Sequence, residues 1–320
     1  MSPRVVVPDD CPQVLRISSA WATLHRLAEV THYGSLPGSL SELTRRLQGA
    51  DAALNIRASS PFRAEVFGAC PTLRLVSVWG TGIDNIDLAA ASRHGVTVTN
   101  TPGVNAAAVA EHTLALMLAV ARRIPLSDSE TKAGRWNQVL LTQLRGKILG
   151  VIGLGAIGSA VARLAQGIGM DVIAWTMHPS EERARALGVR LVDKEPLFRQ
   201  ADLVSLHLRL TPEATDFLGE SELSLMKPTA YLINTARGAL VNRDALFAAL
   251  RDRRIAGAGL DVFHREPISP DDPLLSLPNV VLTPHIAGMT SEVIEDGLNQ
   301  AVANIEHFFA GQPRNVVGTS

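Results

Sequence analysis

The stretch VIGLGAIGSA, residues 151–160, sets Gly153, Gly155 and Gly158 in the spacing G-x-G-x-x-G. Alone the spacing is a weak signal, because Gly and Ala are common residues. Its surroundings decide the reading. KILGVI before it has the pattern of a strand, SAVARLAQGIG after it opens as a helix, and DVIAW follows as a second strand at βαβ distance. Gly153 then permits the tight turn, and Gly155 lets the backbone approach a pyrophosphate. Gly158 lets helix and strand pack closely, while the helix start offers free N–H groups and a positive dipole to the anion. The pattern predicts a dinucleotide site formed by Gly153, Leu154, Gly155, Ala156, Ile157 and Gly158. One element is missing. Where an acidic residue usually takes the adenosine ribose hydroxyls, at the end of the second strand, stands Thr176. Threonine carries no charge to repel a 2′-phosphate, and Arg183 and Arg209 are the cations available to meet one.

The bulk numbers suit a well-buried enzyme of two domains: 320 residues, 46% hydrophobic and 19% charged. A net charge of -1 gives no global attraction to nucleic acid or to anionic lipid, so neither is expected as a partner. Cys11 and Cys70 are far apart and have no metal-ligand spacing, which predicts two small buried thiols, a reducing cytoplasm and no metal site. MSPRVVVPDD is no signal peptide, and LALMLAV, between Glu111 and Arg122, is too short to span a membrane.

Short β-branched runs alternate with helical patterns from end to end, which predicts parallel βαβ units. The first part holds strands at RVVVP, DAALNI, LRLVSVW and GVTVTN; NTPGV then breaks the pattern. NAAAVAEHTLALMLAVARRI, residues 105–124, is expected as one long helix with almost no polar face, and so needs burial on most sides. The rhythm restarts at KILGVIGLGAIG and runs through DVIAWT, RLVD, ADLVSLHL, AYLINTA, IAGAGLDVF and VVLTPHIAG. A last helix over about Ser291 to Phe309 fits either domain by pattern alone.

Five ordered segments resemble the D-isomer-specific 2-hydroxyacid dehydrogenase family: GTGIDNIDL (80–88), NTPGVNAAAVAEHTLALMLAVARR (100–123), NTARGALVNRDAL (234–246), GAGLDVFHREP (257–267) and LTPHIAG (282–288). The likeness runs from about residue 50 to the C-terminus. It implies two doubly wound parallel-sheet α/β domains, with a Rossmann cofactor domain, residues 101–286, inserted into a flavodoxin-like substrate domain, residues 1–100 plus 287–320. It also implies a catalytic cleft between them and a homodimer formed through the cofactor domain.

By the same resemblance, Arg237 holds the substrate carboxylate, which its planar fork can grip at two points. His285 is the general acid and base, and Glu266 is the carboxylate that favours its imidazolium and fixes which nitrogen faces the substrate. Asp261 receives the nicotinamide carboxamide; His207, Thr235, Ala236 and His285 also border the cofactor, with Asn105 and Val109 near the nicotinamide. Gly80, Thr81 and Gly82 form a second grip on the substrate carboxylate, and Arg57 lines the substrate cavity. Trp79 reads first as core, with shaping of the substrate pocket as the alternative. His25, His32, His94 and His307 fall outside the motifs, His112 reads as packing, and His178 and His264 stay open.

The expected activity is hydride transfer between NAD(H) or NADP(H) and a 2-keto acid or D-2-hydroxy acid such as glyoxylate or hydroxypyruvate. Thr176, with Arg209 standing where the family usually has proline in HLPLT, tilts the expectation toward NADP(H). The alternatives are a short phosphoglycerate dehydrogenase and a non-catalytic, dinucleotide-sensing corepressor-like protein.

Overall fold

Runs of Val, Ile, Leu and Ala buried on both faces make parallel strands covered by helices. In the computed structural model, which describes residues 2–318, they form two separate sheets. The first holds β1 (Arg4–Val7), β2 (Glu29–His32), β3 (Ala52–Asn55), β4 (Leu75–Val78) and β5 (Thr97–Thr99), all parallel, in the order β2-β1-β3-β4-β5. The second holds β6 (Ile148–Ile152), β7 (Asp171–Trp175), β8 (Arg190–Leu191), β9 (Leu203–Leu206), β10 (Tyr231–Asn234), β11 (Gly257–Leu260) and β12 (Val280–Leu282). These are also all parallel, in the order β12-β11-β10-β9-β6-β7-β8.

Each order reverses once, between β1 and β3 in the first sheet and between β6 and β9 in the second. At such a reversal the two following loops diverge and leave a crevice at the C-terminal strand ends, where open α/β sheets bind ligands. The loops concerned begin after Val7 and Asn55 in one unit and after Ile152 and Leu206 in the other.

One compact unit runs to Asn105 and resumes at Met289; the other runs from Ala106 to Gly288. The segment after β5 stays with the first unit beyond residue 100 because Thr101 holds it there. Its N–H donates to Gly80 O and its Oγ1 accepts from Gly80 N–H at 2.8 Å. The last helix, Ser291–Phe309, packs Leu298, Ala301, Val302 and Ile305 into the core of the first sheet.

Two local expectations are corrected. The first sheet has a fifth strand, β2, whose sequence EVTH carries no apolar run because it is an edge strand with an exposed Glu29. The long helix stops at Ala121, and a second one, Ile124–Lys132, follows. Pro125 has no N–H to continue the first helix, and it sits in the first turn of the second. Arg123, at φ 49°, turns the chain between them. The Ala106–Ala121 helix buries Leu116, Met117 and Val120 beside Val161 and Ala165 of the Ala156–Gly167 helix. Among the described residues, no helix is long and apolar enough to cross a membrane.

Candidate active site

The glycine loop joins β6 to the Ala156–Gly167 helix, whose N-cap is Gly155 without a side-chain cap, so its first N–H groups face outward. Each glycine meets a different demand. Gly153 has φ +96°, and a Cβ there would lie 2.7 Å from His207 O. A Cβ on Gly158 would run into Gly153 O. Gly155 has φ -80° and ψ -160°, and a Cβ there would meet nothing within 4 Å. Neither backbone strain nor packing within the chain therefore requires glycine at 155. The open face it leaves, beside a helix N-terminus, fits a dinucleotide pyrophosphate.

Thr176 lies just past β7 and is half-buried. Arg183, on the Glu181–Leu187 helix, donates from Nη1 to Leu154 O at 3.2 Å, so its guanidinium is tied to the glycine loop. Arg209 is exposed on the loop after β9. On that same loop His207 Nε2 lies 2.9 Å from Ser205 Oγ, and burial pushes its imidazole down to about 3, which leaves it neutral. Thr235, buried, has its Oγ1 2.9 Å from Thr113 Oγ1, with half-buried Ala236 next to it.

Arg237, Glu266 and His285 stand on three loops after β10, β11 and β12. Asn234 shapes the first loop: its Oδ1 accepts from Ala236 N–H at 3.0 Å and its Nδ2 donates to Arg237 O at 2.9 Å. Gly238 brings that loop against the second, because a Cβ there would lie 2.6 Å from His264 N and collide with Phe263. Glu266 Oε1 accepts from Phe263 N–H at 3.0 Å, and its Oε2 lies 2.6 Å from His285 Nδ1. Burial works to raise the Glu266 carboxyl, but the hydrogen bond and charge of His285, the Phe263 N–H and the Arg237 charge outweigh it. The net result lies below the ordinary carboxylate range. A charged Glu266 accepts a hydrogen bond from Nδ1–H of His285, which leaves Nε2 as the nitrogen available to a substrate.

Asp261 is fully buried at the end of β11. Its Oδ1 accepts from Thr283 Oγ1 at 2.6 Å and Ile286 N–H at 3.0 Å, and its Oδ2 from Ala287 N–H at 2.9 Å. His112, expected as packing, instead places Nε2 2.9 Å from Thr283 Oγ1. Val109, on the same helix, is buried, while His178 and His264 are exposed. Among the described residues, no group of three or more His, Cys, Asp or Glu is placed to hold a metal ion.

The remaining residues singled out in the sequence lie in the first unit. Arg57 is half-buried, donates to Pro12 O, approaches Met289 Sδ at 3.6 Å and stands 5.6 Å over the Trp79 ring. Its Nε is buried without a hydrogen-bond partner. Gly80 has its N–H committed to Thr101, while Thr81 Oγ1 approaches Asn105 Oδ1 at 3.4 Å, and Gly82 follows in the same loop. Sequence reading missed Asp9, which sits fully buried at the reversal of this sheet. It accepts from Ile56 N–H at 2.9 Å, from Arg57 N–H at 3.2 Å and from Asn55 Nδ2. The available signal was an acidic pair, Asp9 and Asp10, at the C-terminal end of an apolar strand.

Residues 114–287 match the family model for the D-isomer specific 2-hydroxyacid dehydrogenase NAD binding domain. The chain is 42% identical over 288 residues to a glyoxylate reductase of Korarchaeum cryptofilum, covering 88% of this chain and 86% of that protein. It is 40% identical over 273 residues to a D-3-phosphoglycerate dehydrogenase of Archaeoglobus fulgidus, covering 82% of this chain but 52% of that protein. A solved NADPH-dependent glyoxylate/hydroxypyruvate reductase of Sinorhizobium meliloti, in complex with NADP and malonate, superposes with a TM-score of 0.87 at 30% identity, covering 99% and 97% of the two chains. The family model thus spans more than half of the sequence, and the Korarchaeum relative is matched over most of both chains. The chain belongs to the D-isomer specific 2-hydroxyacid dehydrogenases, oxidoreductases that work on hydroxy acids with NAD(H) or NADP(H).

Proposed function

We propose that this chain reduces a short 2-keto acid of the glyoxylate or hydroxypyruvate kind, with Arg237, Glu266 and His285 as its catalytic residues. The observation that carries the reading is the 2.6 Å contact of Glu266 Oε2 with His285 Nδ1, on a loop pressed against that of Arg237. Arg237 orients the substrate by its carboxylate. His285, protonated, donates from Nε2 to the ketone oxygen, and Glu266 supports the charge it carries until then. The bound nicotinamide supplies the hydride. In the opposite direction His285 takes the hydroxyl proton back. The unit holding β6 to β12 is the cofactor domain, with the 153–158 loop, Thr176, His207, Arg209, Thr235, Ala236 and Asp261 around the dinucleotide. The unit holding β1 to β5 is the substrate domain. There Arg57 offers a half-buried cation whose partners are a carbonyl, a thioether and an indole face, and Thr81 and Gly82 offer N–H groups.

The cofactor is NADPH in this reading. Thr176 leaves the ribose end uncharged; Arg183 and Arg209 are both exposed, but Arg183 is tied to Leu154 O and so is better held for a 2′-phosphate. The enzyme is a cytoplasmic homodimer. Unpaired Cys11 and Cys70 suit a reducing compartment, and Ile124, Trp136, Val139 and Leu140 form an exposed apolar stretch of the cofactor domain fit to meet a second copy.

Initial rates with NADPH and NADH, against glyoxylate, hydroxypyruvate and 3-phosphohydroxypyruvate, test the substrate and the cofactor together. The reading expects NADPH-dependent turnover of the two smaller acids. Preference for the phosphorylated acid would replace it with phosphoglycerate dehydrogenase. Cofactor binding without turnover of any keto acid would favour a dinucleotide sensor.

A further inference from the structure

We infer that His112 is a positioning residue that holds the loop of His285 in its working shape, acting through Thr283 and Asp261. The inference rests on His285 being the acid and base of the reaction. Proton counting fixes the direction of every bond in the chain. The Asp261 carboxylate only accepts, so Thr283 Oγ1, 2.6 Å away, spends its single proton on Asp261 Oδ1. Toward His112 the same oxygen must therefore accept, which puts a proton on His112 Nε2, 2.9 Å from it and 3.5 Å from Asp261 Oδ1. Asp261 also takes the N–H groups of Ile286 and Ala287 on its side chain and that of His285 on its backbone carbonyl, at 2.8 Å. The loop is thus tied down at residue 283 and at residues 285 to 287.

What those ties hold is a strained residue. His285 has φ 54°, the left-handed region that a side chain with a Cβ disfavours, and surrounding structure must over-determine it. His112 reaches the network from the Ala106–Ala121 helix, outside the loop, and links it to a helix packed in the core. The adjacent residue repeats the arrangement. Thr113 Oγ1 donates to Val109 O at 2.7 Å, so Thr235 donates to Thr113 and ties the Arg237 loop to the same helix. One helix turn thereby steadies the approaches to both the proton donor and the carboxylate-binding arginine.

The test uses two pairs of variants in the full-length enzyme. H112L removes the Nε2 donor, while H112Q keeps an amide N–H at a similar reach; T283V removes the hydroxyl, while T283S keeps it. H112L and T283V should lower kcat about 10- to 100-fold, with the keto-acid KM and the fluorescence-measured Kd for NADPH changed less than about threefold. H112Q and T283S should recover most of the lost kcat. Wild-type kcat in both H112L and T283V would overturn the proposal, as would an H112Q as impaired as H112L with cofactor binding intact. If H112L does not fold, the threonine pair, nearly equal in shape, carries the decision. H285Q separates the two layers of the argument. A fully active H285Q would remove the acid-base reading, whereas a silent H285Q beside unaffected H112L and T283V would remove the clamp alone.

Discussion

Gly297 seats Trp79: a Cβ on this helix residue would lie 2.7 Å from the indole Cδ1 and collide with its Nε1. The indole leans on the Ser291–Phe309 helix, with Nε1 donating to Val293 O at 3.4 Å and the Arg57 guanidinium over the ring. G297A must therefore push a rigid ring off its seat. Overpacking of this kind is expected to lower stability by about 1–3 kcal/mol. Because Arg57 rests on the same ring, the keto-acid KM should rise severalfold, with NADPH affinity unchanged. Tryptophan emission, thermal melting and KM check this together. An unshifted KM beside displaced emission would separate Trp79 from substrate binding.

The second and third glycines of the loop should fail in different ways. G158A drives a methyl into Gly153 O, a backbone atom that cannot swing aside, so the fold itself should weaken and the melting temperature drop. G155A meets nothing in the chain and needs no disallowed backbone angle. It should melt like the wild type yet lose about tenfold or more in NADPH affinity, because the methyl occupies the face that the pyrophosphate approaches. Calorimetry and fluorescence titration on the same samples test the contrast, and a G155A that binds NADPH normally would remove that face from the cofactor site.

Much of this architecture is legible in the sequence for a physical reason. The inner strands of the second sheet read clearly because both faces are covered, leaving nearly unbroken apolar runs. β2 does not, because an edge strand tolerates the polar EVTH. The break at Arg123 hides inside a periodic pattern, and Pro125 two residues later is its only mark. Arg237, Glu266 and His285 stand out through local motifs, and the contact of Glu266 with His285 spans only 19 residues. His112 and Asp9 do not stand out. Their partners lie 171 and about 47 residues away, and no local pattern encodes a hydrogen bond across such separations.

E266Q should lower turnover more than substrate binding. The Glu266 carboxyl lies below the ordinary range, so its charge is present throughout neutral pH. In the proposed reaction His285 donates a proton, and the amide of E266Q accepts from Nδ1 without a charge to balance the imidazolium. For keto-acid reduction at neutral pH, kcat should fall about tenfold or more with KM little changed. A wild-type kcat in E266Q would show that Glu266 acts by packing alone.

Asp9 should make the first unit less stable as pH rises. Burial pushes its carboxyl from 3.8 up to about 6, against the N–H groups of Ile56 and Arg57 and the amide of Asn55 that favour the charged form. Between pH 4 and 6 the folded chain keeps a proton that the unfolded chain has released. This group's contribution is therefore complete below pH 4 and is lost as pH rises through 6, a change of about 3 kcal/mol for a shift of this size. D9N cannot titrate, so the stability of wild type relative to D9N should fall by about that amount between pH 4 and 7. Denaturant midpoints at several pH values measure the difference directly. A difference that stays flat would mean that Asp9 does not change protonation across this range, with its N–H donors strong enough to keep it charged. The same carboxylate fixes the backbone at Arg57, so D9N should also raise the keto-acid KM with a smaller change in kcat.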